Sequence, residues 1–274
     1  MIEIKTDEQI ALMRAAGLVV ASALDEVEAR VAPGVSTQEL DAIAEQVIRD
    51  HGAVPSFLGY HGFTGSICAS VGSEVVHGIP RPDRVLAEGE LISVDCGAIL
   101  NDWHGDSART LPVGEVTDAQ RSLLRVTEDS MWAGIAAGVS GGRLSDISHA
   151  VETSVDAAAS RDGRGYGIVE TYGGHGIGTS MHQDPHILNY GKPGRGPRLE
   201  PGMALAIEPM VTLGAADVDE LSDGWTVVTR DGSDAAHFEH TYAITKTGPW
   251  VLTARDGGAG GLAPFGVQLS DLAG

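Results

Sequence analysis

The chain has few of the residues on which several classes of protein depend. It contains two cysteines, Cys68 and Cys96, too few for a disulfide framework or a cysteine zinc site. Its 18 lysines and arginines stand against 38 acidic residues, which gives a formal net charge of −20. A chain this acidic is a poor candidate for broad contact with the phosphate backbone of nucleic acid.

Long apolar segments are also absent from the sequence. No run approaches the ~20 apolar residues of a membrane span. The opening residues, MIEIKTDEQIALMRAAG, carry charges at positions 3, 5, 7 and 8, which leave no apolar stretch long enough for a signal peptide. We therefore expect a cytoplasmic protein. The hydrophobic fraction, 42% of 274 residues, is that of an ordinary globular protein with a sizeable core.

Two helix pairs are predicted, and they resemble each other. The first pair is TDEQIALMRAAGLVVASALDEVEARV and STQELDAIAEQVIRDHG, where Ser36 and Glu39 form a capping box. The second pair, after Thr117, has the same Thr-Asp-x-Gln opening, and both pairs break at Gly-Val-Ser, at Gly34 and Gly138. The breaks are closer together than the openings, so we expect the first helix of the second pair to be about two turns shorter. The repeat indicates two related halves, residues 1–114 and 115–257.

Short strand-like runs follow each helix pair, separated by glycine, asparagine and aspartate. Examples are ELISVDCGAIL and WHGDSARTLPVG in the first half, and MALAIEPMVTL and HFEHTYAITKTG in the second. Helices and strands grouped in this way, twice over, favour an α+β fold with a mostly antiparallel sheet. We expect one domain over residues 1–257, followed by a glycine-rich, flexible tail over residues 258–274.

The stretch VDCGAILNDWHGD places two acids in an unusual setting. Asp95 lies in an apolar run typical of a buried strand, and Asp106 follows eleven residues later. Residues eleven apart on one straight strand would point to opposite faces, but a two-residue turn within LNDW reverses this parity. The two carboxylates would then share one face, which favours protonation of one or a cation between them. Alternatively, Asp102 and Asp106 are solvated turn residues and Asp95 ends a strand.

Three further polar residues lie in apolar, strand-like surroundings. They are His175 in TYGGHGIGTSMH, Glu208 in MALAIEPMV and Glu239 in AHFEHTYAI. Taken singly, they could be a core histidine, a salt-bridge partner and an exposed edge residue. Taken together with the two aspartates, they suit a pair of divalent ions with oxygen ligands and one nitrogen. Two ions ~3.5–4 Å apart can activate a water for attack on a carbonyl or phosphoryl group.

These segments, in this order and spacing, resemble those of type I methionine aminopeptidases, which have the pita-bread fold. The resemblance runs from about residue 3 to residue 254 and is carried by LGYHGFTGSICASVGSEVVHGIP, VDCGAILNDWHGDSART, GGHGIGTSMHQDP, EPGMALAIEPM and DGWTVVTRDGSDAAHFEHT. It implies that two ions are held by Asp95, Asp106, His175, Glu208 and Glu239. Asp106 and Glu239 would bridge the ions, Asp95 would complete one site, and His175 with Glu208 the other. Co, Mn, Fe or Zn would suit such ligands.

The resemblance also implies a function. The enzyme would remove the initiator methionine from nascent proteins and peptides when the second residue is small, through attack of a metal-activated water or hydroxide on the first peptide bond. Glu208 would move the proton, His77 would contact the substrate near the scissile amide, and His182 would hydrogen-bond the scissile carbonyl. The expected partners are peptide and nascent-chain N-termini, with transient ribosome association and a monomeric state.

The methionine pocket is assigned by the same resemblance. Its residues would be Tyr60, Phe63, Cys68, His77, Met181 and Trp225. An apolar, aromatic slot suits an unbranched thioether, although an ordinary core position remains an alternative for any one of the aromatic residues.

Four positions differ from the usual pattern of the family, and none of them removes a ligand. Leu58 and Val76 stand where cysteine is common, Met181 where an aromatic residue is usual, and Gln183 where glutamate is common. They leave the chemistry unchanged and put the shape of the pocket in doubt.

Two rival interpretations remain. Aminopeptidase P and prolidase share the fold, the ligand types and an Asp-x-Gly start like Asp95-Cys96-Gly97, but they usually carry an additional N-terminal domain, for which we expect no room here. A non-catalytic pita-bread protein that binds partners is the second rival, and the five intact ligands and both histidines argue against it. Nucleotide binding is less favoured, because GGHGIGT does not fit the spacing of the G-x-G-x-x-G motif.

Overall fold

Four long helices carry most of the helical content of the computed structural model, which describes residues 1–273. They are α1 (Asp7–Glu28), α2 (Thr37–Asp50), α3 (Asp118–Ala137) and α4 (Leu144–Asp162), and a short α5 (Ala259–Leu262) follows near the end. The first three each begin with a capping box, at Thr6, Ser36 and Thr117. In each box the N-cap hydroxyl and the side chain three residues later satisfy two backbone N–H groups that the helix leaves free.

The two helix pairs match more closely in length than the sequence predicts. Helix α3 has 20 residues and α1 has 22, so the prediction that α3 is two turns shorter is wrong. The Gly-Val-Ser breaks are not structurally equivalent. Ser36 is the N-cap of α2, whereas Ser140 lies in the turn before α4, whose N-cap is Arg143. The Gly-Val-Ser triplet ends the connection between α1 and α2 but begins the connection between α3 and α4, which explains the closer spacing of the two triplets.

The strands form one large curved sheet and two small ones. In chain order they are β1 (Val54–Pro55), β2 (Ile67–Val71), β3 (Glu74–Val76), β4 (Leu91–Leu100), β5 (Trp103–Pro112), β6 (Gly167–Ile168), β7 (Gly174–Gly176), β8 (Gln183–Ile187), β9 (Ala204–Ile207), β10 (Met210–Thr212), β11 (Val218–Glu220), β12 (Val227–Thr229), β13 (Ala235–His237), β14 (Glu239–Ile244) and β15 (Pro249–Val251). The large sheet has nine strands, in the order β1-β4-β5-β14-β9-β7-β8, with β2 on β4 and β15 on β14. Each strand pairing in residues 1–273 is antiparallel. The predicted α+β class is confirmed.

The two halves of the sequence meet where β5 pairs with β14. One apolar core forms beneath α1 and α2, and a second beneath α3 and α4. Helix α1 crosses β5 at a point where both elements have glycine, because a Cβ on Gly105 would lie 2.7 Å from the backbone nitrogen of Gly17. This close approach fixes the helix against the strand that carries Asp106.

The hairpin between β4 and β5 has the two-residue turn that the sequence predicts. Its central residues, Asn101 and Asp102, have φ angles of 51° and 67°, which are typical of the type I′ turn of tight hairpins. In the resulting register Asp95 pairs with Ala108 and Gly97 pairs with Asp106. Asp95 and Asp106 therefore project from adjacent strands on the same face of the sheet.

The glycine-rich segment at residues 258–273 packs against the domain, in contrast to the predicted flexible tail. Leu262 of α5 is 0% exposed. The Ser270 amide donates to the Pro249 carbonyl at 3.0 Å, and Thr245 Oγ1 donates to Ser270 Oγ at 2.8 Å. Gly261 lies where a Cβ would collide with the Trp132 ring. The glycines thus permit close packing here. Leu262 attaches the segment to the apolar core, which the glycine-rich composition does not indicate.

No helix within residues 1–273 is both long and apolar enough to cross a membrane.

The contact between α1 and β5 leads to a prediction about stability. Gly105→Ala should lower the free energy of unfolding by about 1–3 kcal/mol, because the added methyl group overpacks a rigid backbone contact. Gly165→Ala is the matched control, since a Cβ there meets no atom within 4 Å, and it should change stability by less than about 0.5 kcal/mol. Urea denaturation followed by circular dichroism measures both. Equal stability of Gly105→Ala and the wild-type protein would contradict the predicted overpacking.

Candidate metal centre

The register of the large sheet brings three acids together. Asp95 on β4, Ala108 on β5 and Glu239 on β14 lie directly opposite one another, and Asp106 lies two residues along β5 from Ala108. Directly opposed residues share a face, as do residues two apart on one strand. Three carboxylates therefore point the same way, and the small side chain of Ala108 leaves the space between Asp95 and Glu239 open.

The same register adds a histidine from the other half of the sheet. Thr241 on β14 is opposite Ala206 on β9, which is opposite His175 on β7. Thr241 is two residues from Glu239, so His175 points to the face that carries the acids. Glu208 follows the last residue of β9 and completes the group. All five predicted ligands line one cavity of about 740 Å³.

Distances within the group fit a shared cation. His175 Nε2 lies 3.4 Å from Glu208 Oε1, 3.9 Å from Asp106 Oδ2 and 4.0 Å from Glu239 Oε1. Asp106, His175 and Glu239 each offer one ligand atom, and these three atoms lie within 4.8 Å of one another. His175 Nδ1 is 3.0 Å from the Gly176 carbonyl oxygen, which can only accept, so Nδ1 carries the proton. Nε2 then presents a lone pair to the carboxylates, as a metal ligand does.

Several oxygens of the acids have no partner within the protein. Asp95 Oδ1, Asp106 Oδ1 and Glu239 Oε1 are buried and form no hydrogen bond with any residue that the structure describes. Leaving a buried carboxylate oxygen unpaired is costly, and such groups normally pair or bind metal. The donor set of carboxylates with one imidazole suits divalent ions. The residues present therefore fit a metal centre.

Burial and mutual repulsion determine the charge of the acids. Burial, followed by the neighbouring carboxylate of Glu208, raises the pKa of Asp95 to about 7. Burial raises the pKa of Asp106, of Glu208 and of Glu239 well above the usual range, and neighbouring acids add to the effect at Asp106 and Glu239. Protonation or a cation can relieve this repulsion. A divalent cation stabilises the ionised forms, which are the forms that coordinate metal.

The predicted pocket residues border the same cavity. An apolar cluster combines Phe63, Cys68 and Met181 with Phe57, and Tyr60 and Trp225 pack against it. All six line the cavity, together with His77 and His182. Phe57 is absent from the sequence prediction. Its position in PSFLGY, before the motif's first aromatic residue, is a signal that could have identified it.

The four unusual positions have different surroundings. Leu58 is 42% exposed and Val76 is buried in a small apolar core with Met210, so neither departure shapes the pocket directly. Met181 lies in the pocket cluster. Gln183 lines the cavity and joins the N-terminal segment, where its Nε2 donates to Glu3 Oε2 at 2.6 Å and its Oε1 accepts from Lys5 Nζ at 3.3 Å.

The two predicted substrate histidines are held in distinct ways. His182 Nδ1 lies 2.9 Å from the Tyr60 hydroxyl, and its ring centroid is 4.5 Å from that of His175. His77 has a φ angle of 59°, an uncommon conformation for a residue other than glycine and one that is frequent at functional sites. Burial lowers the pKa of His77 to about 4. At neutral pH its imidazole is therefore uncharged.

One further histidine borders the centre and was not predicted. His237 on β13 is 1% exposed, and its Nε2 lies 3.6 Å from Glu208 Oε2. The sequence did carry a signal, since His237 interrupts the apolar run AAHF two residues before Glu239.

Comparison with known proteins identifies the family. The model of metallopeptidase family M24 matches residues 11–246. The chain belongs to metallopeptidase family M24. Among its M24 relatives, methionine aminopeptidase 1 of Mycobacterium tuberculosis is 58% identical over 241 residues, which are 88% of this chain and 91% of that protein. Methionine aminopeptidase 1 of Bacillus subtilis is 52% identical over 253 residues, 92% and 99% of the two chains.

Solved structures of M24 proteins have the same fold. The methionine aminopeptidase of Rickettsia prowazekii superposes with a TM-score of 0.89 at 40% identity, over 93% of this chain and 100% of that one. Prolidase of Pyrococcus furiosus is 22% identical and gives a TM-score of 0.72, over 92% and 65% of the two chains, a likeness of fold alone. The resemblance to type I methionine aminopeptidases and the pita-bread fold are confirmed. As an M24 metallopeptidase, the protein uses divalent metal.

The geometry predicts that Asp106 contributes to metal affinity. Asp106→Asn should weaken Mn²⁺ binding by about tenfold or more, because one charge and one strong oxygen ligand are lost. Asp102→Asn is the control, because Asp102 is exposed in the turn of the same hairpin with a φ angle that asparagine adopts readily. Calorimetric titration of chelator-treated protein measures both affinities. Equal affinity in the two variants would contradict the assignment of Asp106 as a ligand.

Proposed function

We propose that this metallopeptidase removes the initiator methionine from nascent proteins and peptides when the second residue is small. One observation carries the proposal. A single cavity joins a centre of four carboxylates and an imidazole to a buried apolar slot that contains Phe63 and Met181. The centre suits hydrolysis, and the slot suits one apolar side chain. The high identity to proteins named methionine aminopeptidase supports methionine as that side chain.

We propose that Asp95, Asp106, His175, Glu208 and Glu239 hold two divalent ions, with Asp106 and Glu239 shared between them. The buried, unpartnered oxygens of Asp95, Asp106 and Glu239 support metal ligation, and the family resemblance implies the shared role of Asp106 and Glu239. Bound ions would activate a water near neutral pH and would provide positive charge that polarises the scissile carbonyl. Cobalt, manganese, iron and zinc all fit the ligand set.

The protein's own residues would position the substrate. The slot formed by Phe63, Cys68 and Met181 would exclude water from the methionine side chain, and an unbranched thioether adapts well to an irregular apolar space. The edge of Phe63 meets Trp225, with ring centroids 5.1 Å apart, which gives the slot an aromatic wall. With the first side chain held there, the free N-terminus would lie at the acidic centre, and cleavage would remove a single residue.

Proton transfer would depend on Glu208 and two histidines. Glu208 is partly open to the cavity, with a side-chain exposure of 13%, and a carboxylate there can take a proton from water and deliver it to the leaving amine. In the tautomer in which the Tyr60 hydroxyl donates to His182 Nδ1, His182 Nε2 would carry a proton and could donate it in a hydrogen bond to the scissile carbonyl oxygen. Neutral His77 would contact the substrate near the scissile amide.

The catalytic unit that we propose is a single domain over residues 1–257, built from the halves 1–114 and 115–257, with residues 258–273 packed against its second half. Asp95 and Asp106 come from the first half, and His175, Glu208 and Glu239 from the second, so neither half alone would hold the centre. Since nascent-chain N-termini emerge at the ribosome, we also propose that a cytoplasmic monomer associates with it transiently.

A peptide panel tests the substrate assignment. Chelated enzyme reloaded with metal should cleave Met-Ala-Ser at least about tenfold faster than Met-Arg-Ser, because a crowded site for the second residue rejects a large side chain by about 1–3 kcal/mol or more. Release of methionine, measured by chromatography, gives both rates. Equal rates would contradict the small-residue preference, and cleavage confined to Xaa-Pro peptides would favour a prolidase-like activity instead.

Removal of either shared ligand should abolish turnover. Asp106→Asn and Glu239→Gln should each reduce kcat by at least about 10³-fold, because hydrolysis near neutral pH depends on the metal-held water. Asp102→Asn should keep wild-type turnover, and circular dichroism should show that all three variants fold. Retained turnover in both ligand variants would contradict the two-ion model.

A further inference from the structure

The buried histidine at position 237 has a fixed backbone and an unpartnered side chain. Thr110 Oγ1 on β5 donates to the His237 carbonyl oxygen at 2.8 Å and accepts from the His237 amide at 2.7 Å. Strand β13 also pairs with β10, where Met210 is opposite His237. The imidazole is 1% exposed, yet its Nε2 has no hydrogen-bond partner in the described part of the chain. A buried polar atom without a partner is uncommon and indicates a specific role.

A carboxylate oxygen of Glu208 lies close to this unpartnered nitrogen. The two Glu208 oxygens each face a different imidazole, Oε1 at 3.4 Å from His175 Nε2 and Oε2 at 3.6 Å from His237 Nε2. His175 Nε2 presents a lone pair, because Nδ1 donates to the Gly176 carbonyl. The two sides of the carboxylate therefore differ. One side faces the nitrogen of a proposed metal ligand, and the other faces a nitrogen that has no hydrogen-bond partner in the described part of the chain.

We propose that His237 is a positioning residue whose Nε2–H donates to Glu208 Oε2 and so directs Oε1 toward the metal centre. The observed 3.6 Å exceeds the usual range of about 2.7–3.2 Å for this bond, and a small rotation of the Glu208 carboxylate closes the gap. Both the Nε2–H tautomer and the imidazolium can donate from this atom, so the inference does not depend on the charge of His237. It rests on the proposed ligand and proton-transfer roles of Glu208.

Hydrogen bonding of this kind tunes metal sites in general. Groups that hydrogen-bond a ligating carboxylate fix its orientation, and their removal commonly weakens metal affinity or activity by about 10–100-fold. His237 differs from the other groups that approach the acids because it is hidden behind the cavity wall, whereas His175 and His182 line the cavity. It can therefore orient Glu208 without touching the substrate.

Three variants test the proposal. His237→Gln keeps an N–H donor of similar reach, and His237→Leu keeps the bulk without a donor. His240→Leu is the matched control, because His240 is a half-buried histidine on the opposite face of the sheet from Glu239, where its Nδ1 lies 2.8 Å from Thr253 Oγ1. Mn²⁺ affinity is measured by calorimetric titration of chelator-treated full-length protein, and the visible spectrum of bound Co²⁺ reports the ligand arrangement.

His237→Leu should bind Mn²⁺ about 10–100-fold more weakly than the wild-type protein and should shift the Co²⁺ spectrum. The Mn²⁺ affinities of His237→Gln and His240→Leu should stay within about threefold of wild type.

Wild-type affinity in His237→Leu would overturn the proposal. Equal loss in Gln and Leu would also overturn it, because direct ligation or simple packing would then explain the effect. If the Leu variant does not fold, His237→Met, which also lacks a donor, takes its place with the same expected and contradicting results. Failure of the wild-type protein to cleave Met-Ala-Ser while it binds metal would contradict the proposed function and leave this comparison standing.

Discussion

Mutual repulsion among four closely spaced carboxylates is the constraint on which the rest of the structure depends. Asp95, Asp106, Glu208 and Glu239 point into one cavity. Burial raises the pKa of each, and neighbouring acids add to the rise at Asp95, Asp106 and Glu239. No arrangement of apolar side chains can compensate such a cluster, because each ionised carboxylate needs a positive partner. Metal binding supplies that partner, so the repulsion among the acids and the chemistry of the metal-bound centre have the same origin.

The sheet is what keeps the acids together against this repulsion. Their strands come from both halves of the chain and pair at β5 and β14, where Ala108 separates Asp95 from Glu239 in register. Helix α1 lies close against β5 through Gly17 and Gly105. A sheet with helices packed behind it can hold like charges that a loop would let drift apart. The pseudo-repeat therefore has a functional consequence, since each half supplies only part of the centre.

Much of this arrangement could be predicted from sequence because it depends on local rules. The capping box at Ser36 and the two-residue turn after Leu100 follow from short patterns with one strong solution. Hairpin parity alone placed Asp95 and Asp106 on one face. The convergence of these acids with His175, Glu208 and Glu239 required the family resemblance, because pairing between distant strands leaves no short-range signal.

What the sequence did not reveal depends on tertiary packing. The segment at residues 258–273 has a composition typical of a loose tail, yet Leu262 and Ser270 attach it to the domain. His237 resembles an ordinary strand residue until β13 brings it beside Glu208. The length of α3 was misjudged because two similar Gly-Val-Ser triplets occupy different positions relative to the next helix. In the first two cases the deciding contact joins residues far apart in the chain, whereas the third depends on where a helix ends.

The most direct test of the account is turnover on Met-Ala-Ser measured together with the number of metal ions bound per chain. We expect activity to disappear when the protein is chelated and to return on metal addition as the bound ions approach two per chain. Full turnover by the chelated, metal-free protein would contradict the account.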